Sequence, residues 1–358
     1  MLNNANHNNR TILIAPLNWG LGHATRCIPI IKALQENNYI PIIASDGIAL
    51  ELLRKEFPHL KFLELPSYHI EYAKNGKNLK WTLLKNSPKT LKAIRNEKKL
   101  VKNWITKYSI DGIISDNRLG VFEKNIPSVY ITHQLRVMTG DTTWLSSKLH
   151  QNIIKKYSEC WIPDLATVPN LAGELSHLKT HSFKLNYIGP LSRMHKKALP
   201  KKYDLMIILS GPEPQRGILE EKLKIEAQRF KGNVVFIKGV VEENQIKEQI
   251  DTICYYNFMN SHQLEQTFNQ SEIVLCRSGY TTIIDLAKLG KKAFFIPTPG
   301  QYEQLYLAKK LKQEGIVPYA NQNSFTIENL SEVESYAGFQ PFNTYIDWKN
   351  LFSIFDIQ

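Results

Sequence analysis

The sequence predicts an α/β protein that consists of two facing, doubly wound, Rossmann-like domains. Two segments carry the same order of strand, glycine-containing turn, helix and strand, one near residue 11 and the other near residue 271. Between them, short apolar runs of strand length alternate with segments of helical periodicity. With 358 residues, the chain is long enough to bury two separate cores.

The first unit follows an Asn-rich tail, residues 1–10, which we expect to be disordered. Its first strand runs into the turn NWGLGHATR, where Gly20 and Gly22 allow a tight bend and close approach of a ligand to the backbone. His23 falls in the first turn of the next helix, and a helix N-terminus disfavours the imidazolium form. We therefore predict that His23 is neutral and serves as a general base. The alternative is an imidazole that only caps or packs beneath the turn.

Three further strands are predicted in the first domain, at Lys61–Leu65, Ile110–Ser115 and Ser128–Thr132. Asp116 and His133 directly follow two of these apolar runs. Because parallel strands end at one edge of a sheet, both side chains should lie on the same edge as His23. We expect them to line the acceptor side of a cleft, with loop capping as an equally open role.

The second unit covers residues 271–308. An apolar run ends at Cys276, the turn Arg277-Ser278-Gly279 follows, and a helical pattern continues to Gly290. Such a turn presents free N–H groups and the positive end of a helix dipole to one point, which suits a phosphate. A helix cap without any ligand is the alternative interpretation.

This segment resembles the donor-binding half of the family 28 glycosyltransferases of the GT-B fold, the group that adds N-acetylglucosamine to a lipid-linked intermediate. The resemblance implies that Ser278 and Gly279, next to Arg277, meet a diphosphate, that Asp285 holds the ribose hydroxyls, and that Glu303 and Gln304 hold the sugar. The family has Glu where this chain has Asp285, and Gln where it has Glu303. These two differences leave the donor sugar open.

The string GLGHATR, residues 20–26, resembles two relatives of the same fold. One is a branch of glycosyltransferases in which the corresponding His is a proposed base that faces the acceptor. The other is the nucleotide-sugar hydrolase of pseudaminic acid synthesis, which uses this His to activate water. The motif therefore indicates chemistry at a UDP-sugar and leaves the acceptor open.

The resemblance also divides the chain and extends the donor side. It implies an N-terminal acceptor-side domain at 11–190, a linker at 191–203, a nucleotide-sugar domain at 204–335 and a C-terminal segment, 336–358, that returns to the first domain. The remaining donor-side candidates follow strands or the linker and are Arg193, Ser210, Gly211, Gln215, Arg216, Phe258 and Met259. Phe258 and Met259 match the apolar pair that lies against the uracil ring. Further strands are expected at 204–209, 233–238, 252–256 and 316–319, with an amphipathic last segment at 345–355.

The net charge of +12 is concentrated in one stretch. Between Lys74 and Lys107 there are eleven Lys or Arg and one acidic residue, a surplus of ten positive charges. Interleaved apolar residues predict amphipathic helices with a cationic face. That face is either an ordinary solvated surface or a contact for an anionic membrane or a lipid diphosphate. Nucleic acid is not the expected partner, because no recognition motif accompanies the charge.

Four scattered cysteines without a CxxC or Cys/His cluster favour a reducing compartment and argue against structural zinc. The N-terminus lacks the apolar core of a signal peptide, and no apolar run approaches the roughly 18 residues of a membrane span. We expect a cytoplasmic protein, with the inner face of the membrane as an option. No paired acidic motif beside an apolar strand indicates a catalytic metal.

Together these features predict an inverting glycosyltransferase that moves a hexose or N-acetylhexosamine from a UDP-sugar to a hydroxyl acceptor, with a lipid-linked or envelope-glycan precursor as one option. UDP-sugar serves as co-substrate, and no cofactor is expected. One alternative is a nucleotide-sugar hydrolase or epimerase, which would release UDP and sugar without an acceptor. The other is a non-catalytic basic protein that binds membrane or nucleic acid, which UDP would not stabilise.

Overall fold

The computed structural model describes residues 9–68, 79–211, 213–342 and 345–356. They form two α/β lobes, each built around one sheet, and the predicted fold class is confirmed. Residues 1–8 of the tail expected at 1–10, and the start of the basic stretch at 74–78, lie outside the described residues.

The first lobe contains a seven-stranded parallel sheet with the strand order β3-β2-β1-β4-β5-β6-β7. Its strands are β1 (Thr11–Pro16), β2 (Ile40–Ser45), β3 (Lys61–Glu64), β4 (Ile110–Asp116), β5 (Ser128–Ile131), β6 (Glu159–Ile162) and β7 (Leu185–Tyr187). Its helices are α1 (Gly22–Glu36), α2 (Gly47–Glu56), α3 (Leu79–Tyr108) and α4 (Thr143–Ile154). The order reverses between β1 and β4, so a crevice is expected beyond the carboxyl ends of these two strands.

The second lobe contains a six-stranded sheet with the order β10-β11-β9-β8-β12-β13, in which only β10 is antiparallel to its neighbour. Its strands are β8 (Tyr203–Ile208), β9 (Val234–Ile237), β10 (Lys247–Ile250), β11 (Ile253–Tyr256), β12 (Ser271–Cys276) and β13 (Lys292–Phe295). Its helices are α5 (Gln215–Ala227), α6 (Ser261–Gln270), α7 (Tyr280–Leu289) and α8 (Tyr302–Gln313). Here the strand order reverses between β8 and β12.

The two lobes are tied together at their connector and at the C-terminus. Residues 188–202 form a connector without helix or strand. After the second lobe, the chain returns to the first through α9 (Trp348–Phe352) and a 3₁₀ turn, Ser353–Phe355. Phe352 and Phe355 are fully buried in the core that α1 and β1 form, and Phe352 packs edge-on against Tyr39 at 5.5 Å between ring centroids.

The amphipathic last segment at 345–355 contains α9 and the 3₁₀ turn and returns to the first lobe, as expected. Two details of the predicted elements were wrong. The expected strand at 316–319 is a single bridge between Phe295 and Tyr319, because Pro318 lacks the N–H that would extend a ladder. The prediction also lacked β6, β7 and β10, and all four residues of β10 are exposed, so no hydrophobic alternation marks that strand.

Candidate active site

The first corner of the cleft lies at the carboxyl ends of β1 and β4. The chain leaves β1 through a turn in which Gly20 has a φ of +74°, and α1 begins at Gly22, so that His23 lies in its first turn. Asp116 is the last residue of β4, the strand beside β1. Its carboxylate lies 2.8 Å from Nδ1 of His23. Residues separated by 93 positions therefore meet because the sheet reverses its order here.

The electrostatics of this corner favour a neutral His23 beside an ionised Asp116. Burial alone would raise the pKa of Asp116, but the neighbouring Arg26 and His23 hold it well below its ordinary value. Arg26 donates to both carboxylate oxygens of Asp116. Nδ1 of His23 lies 2.8 Å from Oδ1 of Asp116 and 2.9 Å from Nη2 of Arg26. In the tautomer whose Nδ1–H donates to the ionised Asp116, Nε2 is left with its lone pair. Burial lowers the pKa of His23, although Asp116 opposes that shift, so the imidazole is neutral at pH 7.

The second corner lies between β12 and α7. Gly279 is the N-cap of α7, and no side chain among the described residues caps this helix end. Its first amides are therefore available to an anion. The Ser278 hydroxyl is buried and donates to the backbone oxygen of Gln304 at 2.8 Å, while the Gln304 side chain accepts from the Thr298 amide at 2.8 Å. Ser278 and Gln304 thus fix the two neighbouring loops to each other.

The two corners face each other across the cleft. The Thr281 hydroxyl, in the first turn of α7, donates to the backbone oxygen of Gly22 at 3.2 Å. A Cβ atom at Gly22 would lie only 2.9 Å from this hydroxyl oxygen. Glycine at position 22 therefore allows the Thr281 hydroxyl to approach the backbone without displacement. Close by, Nε2 of His133 lies 2.8 Å from a carboxylate oxygen of Glu303 at the start of α8. The acceptor-side and donor-side candidates are thus in direct contact.

Asp285 and Arg193 lie together beside the connector. Asp285 is buried and accepts a hydrogen bond from Ser192 at 2.6 Å. Burial raises the pKa of Asp285 to about 6, and the charge of Arg193 opposes that shift. Arg193 donates to the Ser261 hydroxyl at 2.6 Å, which in turn donates to Glu56 of the first lobe. Nε of Arg193 is buried without a partner among the described residues, so this guanidinium has a free donor.

Phe258 and Met259 lie in the loop that follows β11. Both side chains are partly exposed. The ammonium group of Lys55, at the end of α2, lies 5.3 Å from the centre of the Phe258 ring and donates to the backbone oxygen of Glu243 at 3.1 Å. The first lobe therefore contacts the loop predicted to bind the uracil ring, in addition to its contact with the second corner.

In the segment after β8, two of the four predicted donor-binding residues already have partners within the second lobe. Ser210 is partly exposed, and Gly211 has a φ of +99° with open space around its Cβ position. Arg216 pairs with Glu213 and Glu220, and Gln215 is buried with its backbone oxygen bound to Arg277. The charge of Arg216 is thus already neutralised within the turn.

Arg277 lies under the second corner. Only 1% of the residue is exposed, and its guanidinium donates to the backbone oxygens of Ile296, Pro297 and Gln215 and to the Gln322 side chain. Burial lowers its pKa to about 9. Arg277 therefore links three separate segments of the second lobe through its hydrogen bonds.

The basic stretch forms much of α3. From residue 89 onwards the side chains are described, and the exposed basic residues are Lys89, Lys92, Arg95, Lys98, Lys99, Lys102 and Lys107. The one acidic residue of the stretch, Glu97, is buried and paired with Arg118. The described exposed face of α3 is therefore cationic without compensation from its own helix. None of the described helices combines the length and apolar character needed to cross a bilayer.

Sequence reasoning missed several residues of the site. Arg26 follows His23 by three positions, so helical spacing places both on one face of α1, and this signal was available. Tyr280 stacks on His133 at 4.3 Å between ring centroids, and Glu56 reaches the second lobe, but neither contact has a local pattern. Within the described part of the chain, no group of three or more His, Cys, Asp or Glu side chains has the arrangement of a metal site.

Comparisons with known proteins show which family the second lobe resembles. Residues 215–335 match the Glycosyltransferase family 28 C-terminal domain. The UDP-N-acetylglucosamine--N-acetylmuramyl-(pentapeptide) pyrophosphoryl-undecaprenol N-acetylglucosamine transferase of Haemophilus ducreyi is 23% identical over 216 residues. That match covers 58% of this chain and 57% of the relative, so the chain spans little more than half of it. The enzyme of the same name from Actinobacillus pleuropneumoniae is 23% identical over 326 residues, with 87% and 85% covered.

A solved structure extends the comparison to nearly the whole chain. MurG of Acinetobacter baumannii superposes with a TM-score of 0.52 at 14% identity, and the match covers 92% of each chain. At this identity the likeness shows the fold, which is that of the GT-B glycosyltransferases. The chain therefore has the GT-B fold, and its residues 215–335 match the Glycosyltransferase family 28 C-terminal domain.

Proposed function

We propose that this protein is an inverting glycosyltransferase that transfers a sugar from a UDP-sugar to a hydroxyl acceptor. The observation that carries the proposal is the His23–Asp116 pair, with 2.8 Å between Nδ1 and Oδ1, on the corner that contacts the first turn of α7. A base on one lobe and an anion-binding helix end on the other are the two parts that the reaction needs.

In the proposed reaction, His23 acts on the acceptor. Its Nε2 removes the proton from the acceptor hydroxyl while the hydroxyl oxygen attacks the anomeric carbon. The bond from that carbon to the diphosphate breaks on the opposite face, which inverts the configuration. The proton remains on His23, and the buried carboxylate of Asp116 stabilises the resulting imidazolium. Arg26 keeps Asp116 ionised, so the pair is ready before substrate arrives.

The second lobe would hold the donor. The amides of Ser278 and Gly279 and the dipole of α7 would bind the diphosphate. The free Nε–H of Arg193, which lies in the connector, would be a further donor to it. Asp285 would accept hydrogen bonds from the ribose, and Phe258 with Met259 would pack against the base. We propose that these groups supply the positive charge for the leaving diphosphate, so that the reaction requires no metal.

The acceptor is proposed to be lipid-linked. The related Haemophilus and Actinobacillus enzymes are named for a pyrophosphoryl-undecaprenol acceptor. The exposed cationic face of α3 suits a surface of anionic lipid, where each Lys or Arg contributes about 1 kcal/mol of binding. We therefore place the protein at the inner face of the membrane as a peripheral enzyme.

A donor screen with and without acceptor tests the proposal. Purified protein would be incubated with a panel of UDP-sugars, first alone and then with a polyprenol-linked glycan extract, and products would be identified by mass spectrometry. We expect one UDP-sugar to be consumed only when extract is present, and His23→Gln to abolish that transfer. Rapid release of UDP and free sugar without extract would instead identify a hydrolase. If no UDP-sugar or UDP raises the melting temperature, the donor assignment is wrong.

A further inference from the structure

His133 belongs to the first lobe but is held by the second. It follows β5, yet its ring stacks on Tyr280 of α7, with 4.3 Å between centroids and an interplanar angle of 6°. Its Nε2 lies 2.8 Å from Oε1 of Glu303 at the start of α8. The other oxygen of Glu303 accepts from Gln134. Both carboxylate oxygens of Glu303 are therefore bound by the first lobe.

The opposite side of the His133 ring leads to the proposed base. Arg26 lies 2.9 Å from Nδ1 of His133, and a guanidinium can only donate. Nδ1 is therefore an acceptor, and Nε2 carries the hydrogen that Glu303 receives. Arg26 also binds Asp116, which holds His23. A continuous hydrogen-bonded path thus runs from Glu303 through His133, Arg26 and Asp116 to His23.

We infer that His133 and Glu303 are positioning residues that couple closure of the two lobes to the His23–Asp116 pair. The inference rests on the proposed function, in which His23 is the base. When the lobes are closed, Glu303 fixes the ring of His133, and His133 fixes Arg26 against Asp116. When the lobes separate, His133 loses Glu303 and Tyr280, so the ring that binds Arg26 is no longer held in place. The base is then fully ordered only while the donor lobe covers it.

This role differs from the one that the family resemblance implies for position 303. There the residue would contact the donor sugar directly. In this chain the carboxylate is already engaged on both oxygens by His133 and Gln134. Burial alone would raise the pKa of Glu303, but His133, His23 and Arg26 lower it, so the group is ionised in the closed arrangement. An amide at this position would lack the charge that the network contains.

The test measures His23 directly and needs no turnover. Histidine side chains would be labelled with ¹³C and titrated by NMR in the full chain, and the His23 signal would be assigned by its loss in His23→Gln. The charged and titratable groups around His23 are Asp116, Arg26, His133 and Glu303. Loss of the negative charge of Glu303 disfavours imidazolium, so Glu303→Gln should lower the pKa of His23.

A double-mutant cycle separates coupling through His133 from other effects. Glu303→Gln, His133→Gln and the double variant would be compared. The direct effect of the Glu303 charge on His23 persists when His133 is replaced, whereas any effect transmitted through His133 is lost. We therefore expect Glu303→Gln to shift the pKa of His23 less in the His133→Gln background than in the unmodified chain. In a transfer assay, each single variant should lose about tenfold to a hundredfold in kcat with a smaller change in KM for the donor. Tyr306→Phe is the matched control, because it removes a different interlobe hydrogen bond. In that bond the Glu174 amide donates to the Tyr306 hydroxyl oxygen at 2.8 Å.

Two results would overturn the inference. The first is an unchanged His23 titration in Glu303→Gln together with an altered preference among donor sugars, which would make Glu303 a sugar contact. The second is additivity of the two substitutions, or an equal shift in Tyr306→Phe, which would reduce the contact to general packing of the lobes. Failure of the proposed function would look different, since the titration would show coupling while no sugar is transferred.

Discussion

The two corners of the cleft differ in the groups that they present, which are side chains in the first corner and backbone amides in the second. On the first lobe, His23, Asp116 and Arg26 form a charged network that is buried and internally paired. On the second lobe, the turn at Ser278 and Gly279 offers backbone amides at the N-terminus of α7, while its side chains bind neighbouring loops. The reactive group is thus a side chain held by other side chains, and the anion site is backbone held by the fold.

This difference predicts where substitutions should act. A side chain in the first corner has chemistry that no neighbour replaces, so its loss should appear in turnover. Among substitutions, only proline removes the backbone amides of the second corner, so side-chain changes there should mostly weaken donor binding by degrees. Each prediction below would sharpen this contrast or break it, beginning with the largest effect.

Replacement of His23 should have the largest effect on activity. His23→Gln removes the base but keeps a polar side chain of similar length at the corner. We expect kcat to fall by about 10²- to 10⁴-fold, which is the usual contribution of general acid–base catalysis. The Kd for UDP, measured by calorimetry, should remain close to that of the unmodified chain because His23 lies on the opposite lobe. Activity like that of the unmodified chain would remove His23 from the mechanism.

Replacement of Asp116 should reduce both activity and stability. Asp116→Asn keeps the shape but leaves Arg26 buried without a full counter-charge. Removing one partner of a buried ion pair costs about 3–5 kcal/mol, so the midpoint of urea unfolding should fall clearly. The pKa of Asp116 is depressed in the folded chain, so this stabilisation is present above the ordinary pKa of Asp and is lost in strong acid. Equal stability of the variant and the unmodified chain at pH 7 would contradict the pairing.

The sequence predicted the two corners because their signals are local. A glycine-rich turn between a strand and a helix is visible in GLGHATR and in CRSG, and the rule that parallel strands end on one edge correctly placed Asp116 and His133 beside His23. The wider fold followed from the same alternation of strands and helices. These features depend on neighbours in the chain and on one general property of sheets.

The partners of each charge could not be predicted in the same way. Arg26 and Asp116 are 90 positions apart, and His133 and Glu303 are 170 apart, so their pairing depends on the register of two sheets and on how the lobes meet. For Arg277, a local motif was present but did not predict the contacts of the side chain. Its place in the CRSG turn implied a donor contact, whereas the folded chain buries its guanidinium among backbone oxygens.

An added methyl group at Gly22 tests whether the corners must touch. In Gly22→Ala, the new Cβ would lie 2.9 Å from the Thr281 hydroxyl oxygen, so either the Thr281 side chain rotates and loses its bond to Gly22 or the lobes shift apart. We expect a fall in kcat of about tenfold, since small misplacements of a base are costly. The double variant Gly22→Ala/Thr281→Ala removes that hydroxyl and should regain most of the loss. If the second substitution restores nothing, the contact does not limit closure.

Replacement of Asp285 should have the smallest effect on turnover and a graded effect on donor binding. Asp285→Asn weakens the acceptor proposed for the ribose hydroxyls, and we expect the Kd for UDP to rise by about tenfold, which corresponds to about 1.4 kcal/mol. Burial raises the pKa of Asp285 to about 6.

The raised pKa of Asp285 makes a second measurement possible on the unmodified chain. The ionised carboxyl accepts hydrogen bonds from a diol, and this form predominates above pH 6 and is lost as the pH falls through 6. Calorimetry should therefore give weaker UDP binding at pH 5.5 than at pH 7.5. The same comparison in Asp285→Asn should show a smaller change, because the titrating group is gone. An equal pH dependence in both proteins would assign the effect to another group and leave Asp285 a structural partner of Ser192 and Arg193.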